Sequence, residues 1–399
     1  MKILFVPDSL WGGASGHRSS QYLIKAFTSA NIEMGVYAPI ANFTERQYDL
    51  LKHVNCKYYP RTEYSYKQQL FRKKIYQEFE QIISDFNPDY VFYVGTIKNK
   101  ISIDYCINNE IKYLYLPLTT EYYCINTFAG VETGPCYDCL KGSFTAPLAK
   151  KCMPPDYSMT NFFKDKTIES ISRKRIINAY KVIGYSQDQL NVLECFGVGR
   201  AKTLKLPIFF DPNSAAGIRS EVGERFLIFG QFLTAKGWHL IPDIIRNTKG
   251  VRFKAIMPGD VADKFVTDND LESQVESGAL EIIDYLDTHE ALLEEVAKSR
   301  GVLIPSYYPT TGEFTMMEAL MLRKPVVVFD SGIHREIFVD GKNGMIAKVG
   351  DLQGYCGRIE ALNNDRALYD TVSAGAVDLF SKLTCLQTFQ REIKSALFA

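Results

Sequence analysis

The chain reads as an α/β protein of two domains, and three observations lead there. Short apolar runs alternate with longer amphipathic segments along the whole sequence, as strands and helices do when they come in turn. Its 399 residues are too many for one hydrophobic core and suit two domains of ordinary size. Near the middle, Leu206–Val222 carries two prolines, a glycine and serines, the composition of a joint between domains.

The elements follow in order. Ile3–Pro7 predicts a first strand and Ser20–Ser29 the helix after it. Gly35–Ala38, Tyr90–Val94 and Tyr113–Leu116 are further strands, each a short run suited to burial on both faces, as parallel strands are. Ile168–Tyr180 predicts a helix leading to the strand Val182–Tyr185. After the joint a second series begins at Phe226–Phe229 and runs through Phe253–Met257, Leu280–Ile283, Val302–Pro305 and Val326–Phe329. Val377–Leu397 has helical periodicity, with Leu379, Leu383, Leu386 and Ile393 on one side.

Composition excludes several classes of function. A 46% hydrophobic content is that of a globular chain, and a formal net charge of +0 gives no general pull toward nucleic acid. No apolar run approaches the length of a bilayer span. The start, MKILFVPDSL, lacks the apolar core and cleavage site of a signal peptide, so the expected location is cytoplasmic. The nine cysteines then read as thiols or metal ligands rather than disulfides.

The most informative stretch runs from Pro305 to Gly344. A polar loop with Thr310, Thr311, Gly312 and Glu313 feeds a helix-like segment carrying Glu318; the strand Pro325–Phe329 and a second glycine loop at Ser331–Gly332 follow. Glycine loops at helix starts hold phosphates, because free backbone N–H groups and the positive end of the helix dipole point at the anion. A carboxylate farther into that helix can accept hydrogen bonds from ribose hydroxyls. The stretch therefore reads as a site for a nucleoside diphosphate sugar.

These residues, with FGQFLTAKGWHLI, KAIMPGD and LEIIDYLDTHEALLEEVAKSRGVLIPS before them, resemble in order the GT-B glycosyltransferases of the large family 4 type. The resemblance covers most of the chain. It implies two Rossmann-like domains facing each other across a cleft: residues 1–207 for the acceptor and 208–376 for the sugar nucleotide, with 377–399 crossing back to the first. It implies a retaining transfer of a sugar from a nucleoside diphosphate donor to a glycan or lipid-linked acceptor, in bacterial surface polysaccharide or glycan assembly, with no cofactor required for catalysis.

The resemblance also assigns residues. Glu318 falls on the glutamate that binds the nucleotide ribose, Lys236 on the lysine that binds the diphosphate, and Tyr285 on the loop that flanks the base. Gly12 and Gly13 form the loop after the first strand, with Gly16 and His17 beyond. Three positions depart from the pattern. The arginine five residues before Lys236 is Gln231, which donates hydrogen bonds but carries no charge. The first glutamate of the donor-sugar site is Thr310, and the nearest carboxylate is Glu313; either contacts the sugar, or Glu313 is a helix-start carboxylate favoured by the dipole. The histidine expected before the cysteine-rich loop is Leu118, with Thr119, Thr120 and Glu121 as polar neighbours. These departures keep two other readings open: a non-catalytic GT-B subunit that binds sugar nucleotide or glycan, and an epimerase or phosphorylase on the same fold.

Two further segments carry alternatives. Cys124, Cys136, Cys139 and Cys152 are spaced C-x11-C-x2-C-x12-C, which suits either a structural four-thiolate zinc site or buried thiols. RTEYSYKQQLFRKKIYQEF mixes tyrosines with Arg72, Lys73 and Lys74. It reads as a helix with a solvated charged face, or as a peripheral contact with the inner face of an anionic membrane.

Overall fold

The computed structural model describes residues 1–10, 15–39, 56–61, 72–98, 100–131, 134–153 and 157–398. They form two compact units: Met1–Ala129 with Tyr137–Phe209 and Leu386–Ala399, and Gly130–Cys136 with Phe210–Cys385.

The first unit is built on a parallel sheet of seven strands: β1 (Lys2–Val6), β2 (Glu33–Pro39), β3 (Cys56–Arg61), β4 (Tyr90–Val94), β5 (Tyr113–Leu116), β8 (Lys181–Gly184) and β9 (Thr203–Lys205). Between β5 and β8 in sequence lies a small antiparallel hairpin, β6 (Gly130–Val131) and β7 (Gly134–Pro135). Strand order in the sheet is β3-β2-β1-β4-β5-β8-β9. Every residue of β4 and β5 is buried, as expected of strands covered by helices on both faces. The helix Arg72–Phe86 buries Ile75, Phe79, Ile82 and Phe86, and the last three join the core of this unit. Its apolar face is thereby occupied, and Arg72, Lys73 and Lys74 are exposed. Residues 62–71, the rest of that segment, lie outside the described residues.

The C-terminal helix Leu386–Phe398 belongs to this first unit. Phe389 packs edge-on against Phe27 at 5.4 Å, Tyr90 OH donates to the Leu397 carbonyl at 3.0 Å, and Gln390 Nε2 donates to the Ser29 carbonyl at 2.9 Å. The single helix expected over Val377–Leu397 is two helices, Arg366–Leu383 and Leu386–Phe398. Thr384 ends the first, its hydroxyl donating back to the Phe380 carbonyl at 2.9 Å. Residues 377–385 therefore stay with the second unit, and the return begins at Leu386.

The second unit carries a six-stranded parallel sheet: β10 (Arg225–Ile228), β11 (Arg252–Ile256), β12 (Leu280–Ile283), β13 (Gly301–Ile304), β14 (Val326–Phe329) and β15 (Met345–Ala347). Their order is β12-β11-β10-β13-β14-β15. The chain lays strands outward in one direction from β10, then returns to the middle and lays them in the other from β13. The crevice outside the carboxyl ends of β10 and β13 is the topological switch point, where open α/β sheets bind their ligands. Phe226, Ile228, Phe253, Ala255, Leu303 and Val327 fill the core beneath it. Among the described residues no helix is long and apolar enough to cross a membrane.

Candidate active site

The loop after β13, Pro305–Glu313, runs between two glycine turns of the second unit. Gly237 closes the turn Thr234–Lys236 with φ +81°, and a methyl group there would lie 2.1 Å from the Pro305 carbonyl oxygen. Gly332, after β14, has φ +56°, and a methyl group there would lie 2.3 Å from the Thr310 carbonyl oxygen. Both positions need a left-handed backbone and no side chain. Gly332→Ala is expected to cost about 3 kcal/mol or more, from the strained φ together with the displaced Thr310 loop. A melting temperature within a degree of the parent would show that the loops do not abut so tightly.

Within this frame the polar side chains converge. Lys236 Nζ pairs with Glu313 Oε1 and donates to Tyr308 OH at 2.9 Å. Ser306 Oγ donates to the same Oε1 at 2.7 Å, and His334 Nε2 lies 3.1 Å from Oε2. Glu313 is 3% exposed and His334 0%. Burial alone raises the Glu313 pKa, but the adjacent Lys236 charge and His334 outweigh it and hold the carboxyl well below the usual range. Burial likewise lowers the Lys236 pKa, and Glu313 with Tyr308 more than reverses it. Glu313 precedes the helix Phe314–Met321 but its side chain makes no cap hydrogen bond. At this N-cap position its side chain makes an inward ion pair, which a buried carboxylate needs.

Glu318, one turn into that helix, is 2% exposed and accepts or shares a proton with His289 Nε2 at 2.7 Å. His289 opens the helix His289–Lys298, whose N-cap Thr288 accepts the Ala291 N–H. Asp284 Oδ1 ties the loops after β11 and β12 together by accepting the N–H groups of Gly259 at 2.8 Å and Tyr285 at 2.7 Å. Tyr285 is half-exposed and its hydroxyl donates to the Gly230 carbonyl at 3.3 Å. Thr311 and Gly312 lie on the loop itself, Gln231 is exposed after β10, and Thr310 is buried with its hydroxyl making no hydrogen bond. The structure thus brings Lys236, Glu313, Glu318, Thr310, Thr311, Gly312, Gln231 and Tyr285 to the carboxyl edge of one sheet. Sequence reasoning missed Ser306, His289 and His334. The available signal was scarcity: the chain has five histidines, and two of them touch the two glutamates of this one segment.

The first unit answers fewer expectations. Gly12 and Gly13 lie outside the described residues. Thr120 Oγ1 donates to the Thr127 carbonyl at 2.6 Å and Glu121 Oε1 accepts the Ile97 N–H at 2.8 Å, so two of the three polar neighbours of Leu118 are engaged in local structure. Asp8, after β1, pairs with the buried Lys100 and accepts the Thr96 N–H at 2.6 Å. Among the described residues no group of three or more His, Cys, Asp or Glu gathers as a metal-holding set. The hairpin β6–β7 carries the chain up to Cys136 into the second unit, whereas Cys124, Cys139 and Cys152 belong to the first.

Residues 214–376 match the sequence profile of the family described as glycosyl transferases group 1. No curated protein matches the chain in sequence. Among solved structures, HepE of Anabaena with UDP and glucose superposes with a TM-score of 0.66 at 16% identity, over 100% of this chain and 99% of that one. TarM of S. aureus, in a complex with fondaparinux, alpha-GlcNAc-glycerol and UDP, gives 0.69 at 12% over 100% of both chains. Sucrose-phosphate synthase of Thermosynechococcus elongatus gives 0.66 at 12% over 99% and 97%. At these identities the likeness is one of fold: two parallel sheets with helices, the GT-B architecture.

Proposed function

We propose that the protein is a glycosyltransferase that moves a sugar from a nucleoside diphosphate sugar to a hydroxyl acceptor with retention of configuration. The observation that carries this reading is the placement of Lys236 and Glu318 around one switch point, within the segment that matches the glycosyl transferases group 1 profile. Lys236 and the amides around Thr311–Gly312 hold the diphosphate, Glu318 holds the ribose, and the Tyr285 loop flanks the base. The HepE and TarM structures contain UDP, which favours uridine as the base. In the transfer the bond from the sugar carbon to the diphosphate oxygen breaks and a bond to the acceptor oxygen forms on the same face. The acceptor proton passes to the departing phosphate oxygen, so no protein nucleophile is needed. The protein contributes positioning and a cation where negative charge develops. A glycan or lipid-linked hydroxyl is the acceptor class this reading favours.

A thermal-shift screen against UDP-, GDP- and dTDP-sugars tests the donor site. Selective stabilisation by the uridine series is expected, since a ligand bound only by the folded state raises the melting temperature. No response to any of the three sinks the reading. The pairing of Lys236 with Glu313, together with Gln231 and Thr310 where the family has charged residues, favours a second reading as a sugar-nucleotide-binding subunit. Binding of donor without release of nucleoside diphosphate, across acceptors, would select it.

A further inference from the structure

We propose that His334 is a positioning residue that sets the charge of the diphosphate site by acting through Glu313 on Lys236, in place of the arginine that is Gln231 in this chain. The inference rests on the donor reading above and adds to it a proton-linked device.

The argument starts from the hydrogen positions that the contacts allow. His334 Nδ1 lies 3.2 Å from the Phe329 carbonyl oxygen. A carbonyl only accepts, so Nδ1 carries a hydrogen. The other ring nitrogen, Nε2, lies 3.1 Å from Glu313 Oε2, and neither atom has an aligned hydrogen bond. A neutral ring with its hydrogen on Nδ1 brings a lone pair against a carboxylate oxygen in a site that excludes water. A ring protonated on both nitrogens turns the same contact into a charge pair. The contact is thus complementary only when the ring carries both hydrogens and Glu313 is ionised, and Lys236 keeps Glu313 ionised.

Charge counting gives the consequence. With the ring protonated, Lys236 and His334 carry two positive charges against the one negative charge of Glu313. The imidazolium takes up much of the carboxylate's field, and the Lys236 ammonium, with its side chain 21% exposed, is left for an incoming diphosphate. With the ring neutral, Glu313 cancels Lys236 and the site has no net charge. An arginine at Gln231 would supply the second cation at any pH; a histidine supplies it only when protonated.

Other ionisable groups stand around Glu313 and on the elements next to His334. Behind Glu313 stand Lys236 and Tyr308. From the helix Leu352–Asn364 comes Tyr355, whose hydroxyl donates to the Val327 carbonyl at 2.7 Å. On its own short helix Arg335 donates to the Asp330 carbonyl at 2.8 Å, and Glu336 follows it. The Asp330 carboxylate accepts the Val349 N–H at 2.9 Å.

The test is calorimetric binding of UDP-glucose from about pH 5.5 to 8.5, a range in which its diphosphate diester does not titrate and an ordinary histidine does. Each pH is measured in two buffers of different ionisation enthalpy to count protons. The expected result is proton uptake on binding, and a Kd that rises roughly tenfold per pH unit on the alkaline side. His334→Gln should bind weakly with a flat profile. Gln231→Arg added to it should restore affinity while the profile stays flat. A melting curve shows whether the buried substitution folds, and proton counting on the parent protein stands without it. A flat parental profile with no proton uptake overturns the inference, as does a pH slope that survives His334→Gln. If UDP-glucose and GDP-mannose both give no heat at any pH, the donor reading falls with it; measurable but flat binding overturns this inference alone.

Discussion

Lys236→Ala is expected to lower kcat/KM for sugar transfer by about 10²–10³-fold, roughly 3–4 kcal/mol of lost transition-state stabilisation. It is also expected to cost about 3 kcal/mol or more in folding stability, because it leaves the buried Glu313 carboxylate without its main cation. The two effects separate by pH. In the parent protein the Glu313 pKa is held below its unfolded value of 4.5, so the pair's contribution is present above that pH and is lost as pH falls through the folded value. In the variant, burial is opposed by His334 and the Ser306 hydroxyl without the Lys236 charge, so the folded pKa moves up and protonation relieves the cost as pH falls. The gap in melting temperature between parent and variant should therefore narrow from pH 7 toward pH 4. A gap that stays constant would sink the ion pair as its origin. Unchanged kcat/KM would make Lys236 a structural residue and remove the diphosphate assignment.

How much of this was legible in the sequence follows from which forces are local. Tyr90–Val94, Tyr113–Leu116 and Val326–Phe329 were read residue for residue, because strands covered on both faces are continuous apolar runs. Cys56–Arg61 and Met345–Ala347 were not. They are edge strands, where alternation is weak and a run of three to six residues carries little pattern. The site divides in the same way. Lys236 and Glu318 were assigned through the family resemblance of single segments, while their partners lie outside those segments. The partner of Lys236 lies 77 residues along the chain, and the partner of Glu318 lies 29 residues back. Glu313 illustrates the limit: the sequence allowed a sugar contact or a helix-start carboxylate, and the fold uses it as the centre of a buried charge cluster.

Glu318→Gln should reduce kcat/KM by about 10–100-fold with little change in melting temperature. Glutamine keeps the volume and can still accept from His289 Nε2, so the buried contact at 2.7 Å survives. What it loses is the charge, and a hydrogen bond to a charged acceptor is worth about 1.5–3 kcal/mol where a neutral one gives roughly 1. The ribose assignment predicts more than a loss of rate. The parent protein should bind a 2′-deoxy or 3′-deoxy donor about tenfold more weakly than the ribose form, and Glu318→Ala should bind both alike. Because the variant has no carboxylate to desolvate, it cannot penalise the missing hydroxyl. Discrimination that persists in Glu318→Ala would assign the ribose to another group. Discrimination that disappears in His289→Ala as well would show that the histidine aims the carboxylate.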